Sequence, residues 1–552
     1  MKYKLIFGGL LTFFCGIITE GYSQVKTPIQ TLIAGLDSIR VELKIPGMAA
    51  AFMKGDTILF EEGFGYADLE NHIKATANTS FRVASITKTF TSTLVMQQVE
   101  RKNLSLETPI SVYGINLDNN QITVKNLLTH TSEGEPGAHY QYNGYRFGKL
   151  TPIIEKASGI PFYQLLMENI VTPLKMSSTA PGISLYAYFT FTRQDKSMIP
   201  YFEKAINQLA KPYALNDKGE IVASQYFDEF GAFGGLISTV KDLLKYSAAI
   251  DINQFVTAGT QKEIFTANKL KNGETSPYGL GWFTQTYRGI DFYWHYGQTQ
   301  GESGLFIKVP SLKLTMVVLT NIDKLSQPFP LADGDLFMSP VGQLFYKYCI
   351  NKDRDFIRLD YHLPVQTIRK SLTTANSTYK DFYSKELVTQ ATMALLNGDT
   401  IRARQFYEIY ADLNFNHTDT LPSGEIIAAI QNANINQDLK KKFTLSKPTR
   451  LRVYGVGENC SGDFSSWCDY GWIEDASGKM IWQMQGQAAK HAGGALKNQK
   501  IDQEITLPAG SYFLRYKSDA GHAFNNWDSP PPDNFFWGII LFNISVKPLY
   551  QK

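Results

Sequence analysis

The stretch FRVASITKTFTSTLVMQQVE, from Phe81 to Glu100, constrains this chain more than any other. It places a serine and a lysine one turn apart at the start of a largely apolar helix. Ser85 and Lys88 stand at i and i+3, so their side chains leave the same helix face and can touch. The pair offers a hydroxyl nucleophile and, if Lys88 is neutral, an amine to take its proton. Burial and nearby positive charge would favour that neutral form. The Ser-x-x-Lys spacing also occurs at Ser23 with Lys26, Ser238 with Lys241 and Ser377 with Lys380. Position and neighbours must decide which pair does chemistry.

The chain opens with Lys2 and Lys4, an apolar run from Leu5 to Ile18, and the small-residue stretch Gly21-Tyr22-Ser23-Gln24. This reads as a secretory signal peptide, residues 1–24, which removes or splits the first spare pair. The run is short of the roughly 20 apolar residues of a spanning helix. An exported protein, periplasmic or secreted and without a membrane span, is therefore expected. The formal charge of +3 falls to +2 when Lys2, Lys4 and Glu20 leave, which gives no reason to expect a nucleic-acid partner. At roughly 150 residues per domain, 552 residues suggest three or four units. Cys349, alone in LFYKYCI, reads as a buried structural thiol, whereas Cys460 and Cys468 could pair in an oxidising compartment. The histidines show no metal-binding spacing, so neither a metal nor another cofactor is expected.

From Gly47, GMAAAFMKGDTILFEEGFGYAD predicts two strands joined by the turn Lys54-Gly55-Asp56. After the Ser85 helix, ITVKNLLTH (Ile122 to His130) predicts a short helix, and a Tyr-Asn-Gly loop at Tyr142 leads into another ending at Gly159. Phe230 to Ile250 reads as a glycine turn and an amphipathic helix with Ser238 at its N-cap, which removes Ser238 and Lys241 from the chemistry. Phe292 to Tyr296, Gly304 to Val309 and Leu314 to Asn321 predict strands that extend the sheet begun by the first hairpin.

With these pieces in order, the chain resembles the serine β-lactamase and penicillin-binding-protein superfamily over roughly Thr27 to Ile350. The similarity is to its class C-like branch of DD-peptidases, D-aminopeptidases and esterases. FRVASITKTFT matches the first motif, with Ser85 as nucleophile and Lys88 as partner. LLTHTSEGEPG resembles a scaffold segment of the helical region. YNGYRFGKLTPIIEKASG places Tyr142 at the catalytic tyrosine, PYGLGWF resembles the segment before the third motif, and His295-Tyr296-Gly297 occupies that motif. The resemblance implies an α+β fold, with an antiparallel sheet, flanking helices and an all-helical subdomain. It also implies acylation of Ser85, with Lys88 and Tyr142 sharing the proton and the Ser85 and Gln298 backbone N–H groups holding the oxyanion. A phenol titrates near 10, so Tyr142 would act as base only if the charge of Lys88 favours its phenolate, and the choice between Lys88 and Tyr142 as base stays open. Gly297 would let the strand approach the substrate, and Asn143, Gly144 and Tyr296 would line its site.

Two positions depart from the family pattern. The asparagine expected two residues after the tyrosine is replaced by Gly144, with Asn143 one residue early. His295 stands in place of a lysine that would hold a substrate carboxylate. These changes favour an esterase, or a peptidase for D-amino-acid or peptidoglycan-type substrates, over an efficient β-lactamase. A true β-lactamase or DD-carboxypeptidase, and a catalytically weak penicillin- or peptidoglycan-binding protein, are the alternatives. No Gly-x-Ser-x-Gly elbow occurs to support an α/β-hydrolase.

The hydrolase unit is assigned to residues 25–351. Residues 352–446 read as a polar, helical spacer containing a tetratricopeptide-like pair about Asn397-Gly398-Asp399, with Ser377 at a cap or on the surface. Residues 447–552 read as a β-sandwich. Its Trp472, Trp482, Trp527 and Trp537 suit either a core or a carbohydrate-stacking surface, the core being favoured.

Overall fold

The computed structural model describes residues 27–182, 193, 196–226, 229–414, 425–459, 467–484, 490–492, 498–521, 523–524 and 536–544. The segment read as a signal peptide lies outside them. No helix among the described residues is long and apolar enough to cross a membrane.

Seven antiparallel strands form the central sheet, in the order Ile73–Lys74, Thr57–Asp68, Gly47–Lys54, Leu314–Thr320, Glu302–Val309, Ile290–Thr299 and Phe283–Tyr287. The two ends of the unit meet at its middle, where Met48 lies opposite Thr320 and Lys54 opposite Leu314. Successive side chains of a strand point to opposite faces. Ala49, Ala51 and Met53 therefore enter one core and Met48, Ala50 and Phe52 the other. Cover on both faces explains why these strands read as continuous apolar runs.

One face carries the helix Thr87–Glu100, buried from Thr87 through Gln98. Its polar residues survive burial because their hydroxyls are bonded: Thr87 to the Ala84 carbonyl at 2.7 Å, Thr89 to that of Ile86 at 2.8 Å, and Thr91 to that of Ala232 at 2.8 Å. The other face carries the helix Pro28–Glu42, opened by a reciprocal capping box between Thr27 and Gln30.

The edge strand Phe283–Tyr287 was not predicted, and one cap is misplaced. Thr239 caps Val240–Asp251 by accepting from the Asp242 N–H, while Ser238 ends a short strand and bonds Thr179. Asn376 caps the turn Ser377–Tyr379, and Ser377 lies exposed on the surface, one of the two places expected for it.

A larger correction concerns 352–446, which is neither wholly helical nor a spacer. Its helices Val365–Thr373, Lys380–Leu396 and Thr400–Asn414 join the second core, where the Phe382 ring packs on those of Phe337 and Tyr346. A buried ion pair, Lys347 Nζ to Glu386 Oε1 at 2.9 Å, crosses the same contact. After Asn414 come strands Glu425–Ile430 and Asp438–Leu445, which end opposite edges of the C-terminal strand path. Asp438–Leu445 reads as polar, DLKKKFTL, because an edge strand carries lysines that discourage further pairing.

The C-terminal strands are antiparallel around Leu451, Val453, Leu514, Tyr516, Ile539 and Leu541. Trp537 is fully buried and Trp472 nearly so. Trp482 is partly buried and donates to Gln503, and Trp527 lies outside the described residues. Two of the four tryptophans are thus core residues and cannot form an open stacking surface. Cys468 is disulfide-bonded, and Cys460 lies outside the described residues. Burial raises the Cys349 thiol to about 12, in keeping with an inert structural cysteine.

A chain ending at Asp353 would uncover Phe337 and Tyr346, whose rings pack on Phe382, each worth about 1.5–3 kcal/mol when buried. It is expected to aggregate or melt well below the full chain, whereas a chain ending at Asn414 should melt cooperatively. Circular dichroism against temperature checks this, and equal melting of the two truncations would contradict it.

Candidate active site

Ser85 sits in a 3-10 turn, Ala84–Ile86, between the short strand Phe81–Arg82 and the buried helix. That strand is held by Leu236–Ser238, and Ala84 takes a left-handed φ of 44°, a conformation unfavourable for residues other than glycine. From Phe81 to Gln98 Ser85 alone is not buried. The fold therefore presents one hydroxyl from an otherwise sealed segment.

Lys88 Nζ lies 2.8 Å from Ser85 Oγ and donates to the Phe233 carbonyl, also at 2.8 Å. The residue is 1 % exposed, and burial lowers its pKa from 10.5 to about 7. A lysine so placed is substantially neutral at neutral pH and able to accept the serine proton. The Phe233 carbonyl comes from the glycine turn, where the Gly231 and Gly234 backbones bond each other.

Tyr142 reaches this pair from the opposite side, its ring centroid 5.3 Å from Lys88 Nζ. Burial first, then Tyr296, pushes its phenol well above 10, against a smaller lowering by Ser85. Its buried oxygen makes no well-formed hydrogen bond among the described residues. Burial disfavours the phenolate that Tyr142 would need to act as a base more strongly than its neighbours support it.

Asn143 is spent on structure, its Oδ1 capping the helix Gly144–Gly148 by accepting from the Arg146 N–H at 2.9 Å while its amide donates to Glu133. Gly144 leaves room beside the lysine, since a Cβ there would stand 3.9 Å from Lys88 Nζ. The family's asparagine contact is consequently absent rather than moved to Asn143.

His295 is fully buried. Its Nδ1 lies 2.6 Å from the Tyr296 carbonyl and its Nε2 2.7 Å from the Tyr278 hydroxyl. The first contact requires Nδ1–H, so Nε2 accepts from Tyr278. Burial and then Lys88 lower its pKa to about 3. Both His295 nitrogens are thus occupied within the protein, and burial disfavours the charged ring that a substrate carboxylate would meet.

Gly297 is required for a close approach. A Cβ there would lie 2.4 Å from the Val83 carbonyl, so the strand closes on the nucleophile turn itself. Phe283–Tyr287 pairs with Ile290–Thr299 only as far as Trp294, and the exposed Gln298 lies beyond that pairing. Tyr296 packs 5.6 Å from the Tyr142 ring. Past Gln298, Thr299 and Gln300 form one wall of a cleft of about 800 Å³, with Ser224, Gln225 and Tyr226 opposite.

Sequence reasoning treated His130 as scaffold and left out Tyr278. His130 is buried; its Nδ1 accepts the Asn143 N–H at 3.1 Å, and its ring lies 4.3 Å from that of Tyr142. Burial, Lys88 and His295 hold it well below 6.5. The LLTHTS segment and the tyrosine of PYGLGWF were the available signals. Among the described residues the one carboxylate cluster suited to a cation, Glu458, Asp469 and Asp519, lies in the C-terminal β region.

The Beta-lactamase family profile matches residues 29–335. The chain belongs to that family, within the serine β-lactamase and penicillin-binding-protein-like superfamily. Penicillin-binding protein 4* of Bacillus subtilis (strain 168) is 24 % identical over 316 residues, covering 49 % of this chain and 66 % of that protein. A D-aminopeptidase of Gluconobacter oxydans (strain 621H) is 23 % identical over 326 residues, covering 52 % and 58 %. The chain thus spans less than two thirds of the length of these relatives. The solved octameric penicillin-binding protein homologue from Pyrococcus abyssi aligns with a TM-score of 0.46 and 24 % identity, over 54 % of this chain and 74 % of that one.

His295→Lys would bury an amine where Tyr278 donates a hydrogen bond. It is expected to cost about 2–4 kcal/mol of stability without raising activity on carboxylate-bearing substrates. Thermal melting and paired assays on a neutral and an anionic ester check this; an unchanged melt with a selective gain on the anionic ester would contradict it.

Proposed function

We propose that this chain is an exported serine hydrolase that cleaves ester or amide bonds through an acyl-enzyme on Ser85. The reading is carried by the 2.8 Å contact between the one half-buried hydroxyl of an otherwise buried segment and a buried, near-neutral lysine. The Ser85 proton passes to Lys88 Nζ as Oγ attacks the carbonyl carbon. The oxyanion is taken by the Ser85 and Gln298 backbone N–H groups. Lys88, now an ammonium, returns that proton to the leaving group, while the Tyr142 phenol keeps its own proton and donates only a hydrogen bond to the same atom. Water then releases the acyl group, again with Lys88 as base.

The substrate is a small ester, or a peptide of D-amino-acid or peptidoglycan type. The similarity to a D-aminopeptidase and a penicillin-binding protein supports this class. A buried neutral His295 supplies no charge for a substrate carboxylate, and Gly144 supplies no amide. A charged hydrogen bond is worth roughly 1.5–3 kcal/mol, so its loss costs a β-lactam about one to two orders of magnitude in kcat/KM. A short neutral ester needs neither contact.

The test is intact-mass measurement and peptide mapping after a fluorophosphonate, with parallel turnover of a p-nitrophenyl ester and a penicillin. One adduct on Ser85, its loss in Ser85→Ala, and ester turnover well above penicillin turnover are expected. An adduct on Ser238 or Ser377 would sink the assignment, and penicillin turnover equal to the best ester would favour a β-lactamase.

A further inference from the structure

We infer that Arg82 and Glu302 are positioning residues that set the spacing between the nucleophile and the strand edge of the oxyanion site, an inference that rests on the acyl-enzyme reading above. The two side chains are 2 % and 1 % exposed, with Arg82 Nε 3.3 Å from Glu302 Oε2. Three parts of the site meet at this pair.

Arg82 belongs to the strand that leads into the Ser85 turn. Its Nη2–H donates to the Glu229 carbonyl at 3.2 Å, at the head of the turn whose Phe233 carbonyl anchors Lys88. Glu302 opens the strand Glu302–Val309, and its Oε1 accepts from Thr299 Oγ1 at 3.0 Å. Thr299 directly follows Gln298. One ion pair therefore links the strand before the nucleophile, the start of the turn that carries the Lys88-anchoring carbonyl, and the edge that carries the proposed oxyanion donor. The pair also underlies the cleft, since Thr299 lines it and the Arg82 guanidinium lies 5.8 Å from the ring of Tyr226 on the other wall.

Stability alone is a poor reason for such a pair. Removing two charges from water costs about as much as their attraction returns, and an apolar replacement of matching volume is often neutral or stabilising. Satisfaction here is incomplete as well: Arg82 Nε and Nη1 and Glu302 Oε2 are buried without a well-formed hydrogen bond among the described residues, so the two groups attract by charge alone. What an apolar pair would lack is direction. The guanidinium and carboxylate each hold a second segment through a directed hydrogen bond, and a misplacement of about 1 Å at such a site can cost about 10²-fold in rate.

The experiment compares the full-length wild type, the double variant Arg82→Met/Glu302→Met, and Glu302→Gln. Measurements are melting temperature, kcat and KM on a p-nitrophenyl ester, and the rate of Ser85 labelling by a fluorophosphonate. The double variant is expected to melt close to wild type with KM little changed, while kcat and labelling rate fall at least about tenfold. Glu302→Gln, whose one carbonyl oxygen can still accept from Thr299 while the contact with Arg82 is lost, is expected to recover part of that loss. Wild-type kcat in the double variant, or an equal loss in Glu302→Gln, overturns the inference. Should the double variant not fold, Thr299→Val cuts the link at its far end: lower kcat at unchanged KM supports positioning, and wild-type kcat overturns it. Failure to label Ser85 in the wild type would instead remove the acyl-enzyme reading.

Discussion

The removal of Lys88 from water is the interaction on which the site depends. An exposed lysine stays charged to about pH 10.4 and is a poor base at neutral pH. Here burial alone brings the pKa to about 7. The effect on stability has a definite sign, because the unfolded chain binds the Lys88 proton up to its ordinary pKa and the folded chain only to about 7. Between those values stability rises with pH, and below about pH 7 the full cost of burying the charge is present. The fold therefore gives up stability at neutral pH to hold a usable amine beside Ser85.

That desolvation is built from surrounding groups chosen for fit rather than charge. Lys88 lies against the rings of Tyr142 and Phe147, each 5.3 Å from Nζ. Two imidazoles in the neighbourhood, His130 and His295, are kept neutral by the same burial and by Lys88 itself. The polar residues of the helix are hydrogen-bonded within it or to adjoining carbonyls, so a sealed helix can carry a lysine without a run of unsatisfied hydroxyls. Gly297 completes the arrangement by letting the sheet edge come against Val83.

Much of this was legible in the sequence because the motifs combine order with local chemistry. The Ser85–Lys88 spacing, the apolar strands and the Asn397-Gly398-Asp399 turn each have short-range causes, and each stands where expected. What the sequence concealed was set by distant partners. The neutral state of Tyr142 comes from burial and from Tyr296, and the occupancy of both His295 nitrogens depends on Tyr278. Residues 352–446 looked like a spacer because their helices are polar on one side. Only the folded chain shows the other side closing the core. Likewise the lysines of Asp438–Leu445 hid a strand whose edge position accounts for them.

The most direct test of this account is the rate of Ser85 labelling by a fluorophosphonate against pH, measured by intact mass in the wild type and in Tyr142→Phe. The account expects the rate in both proteins to rise with pH through a single midpoint near 7, because the proton acceptor is Lys88 in each. A midpoint near 10, or one that disappears when the phenol is removed, would contradict it and return the role of base to the tyrosine.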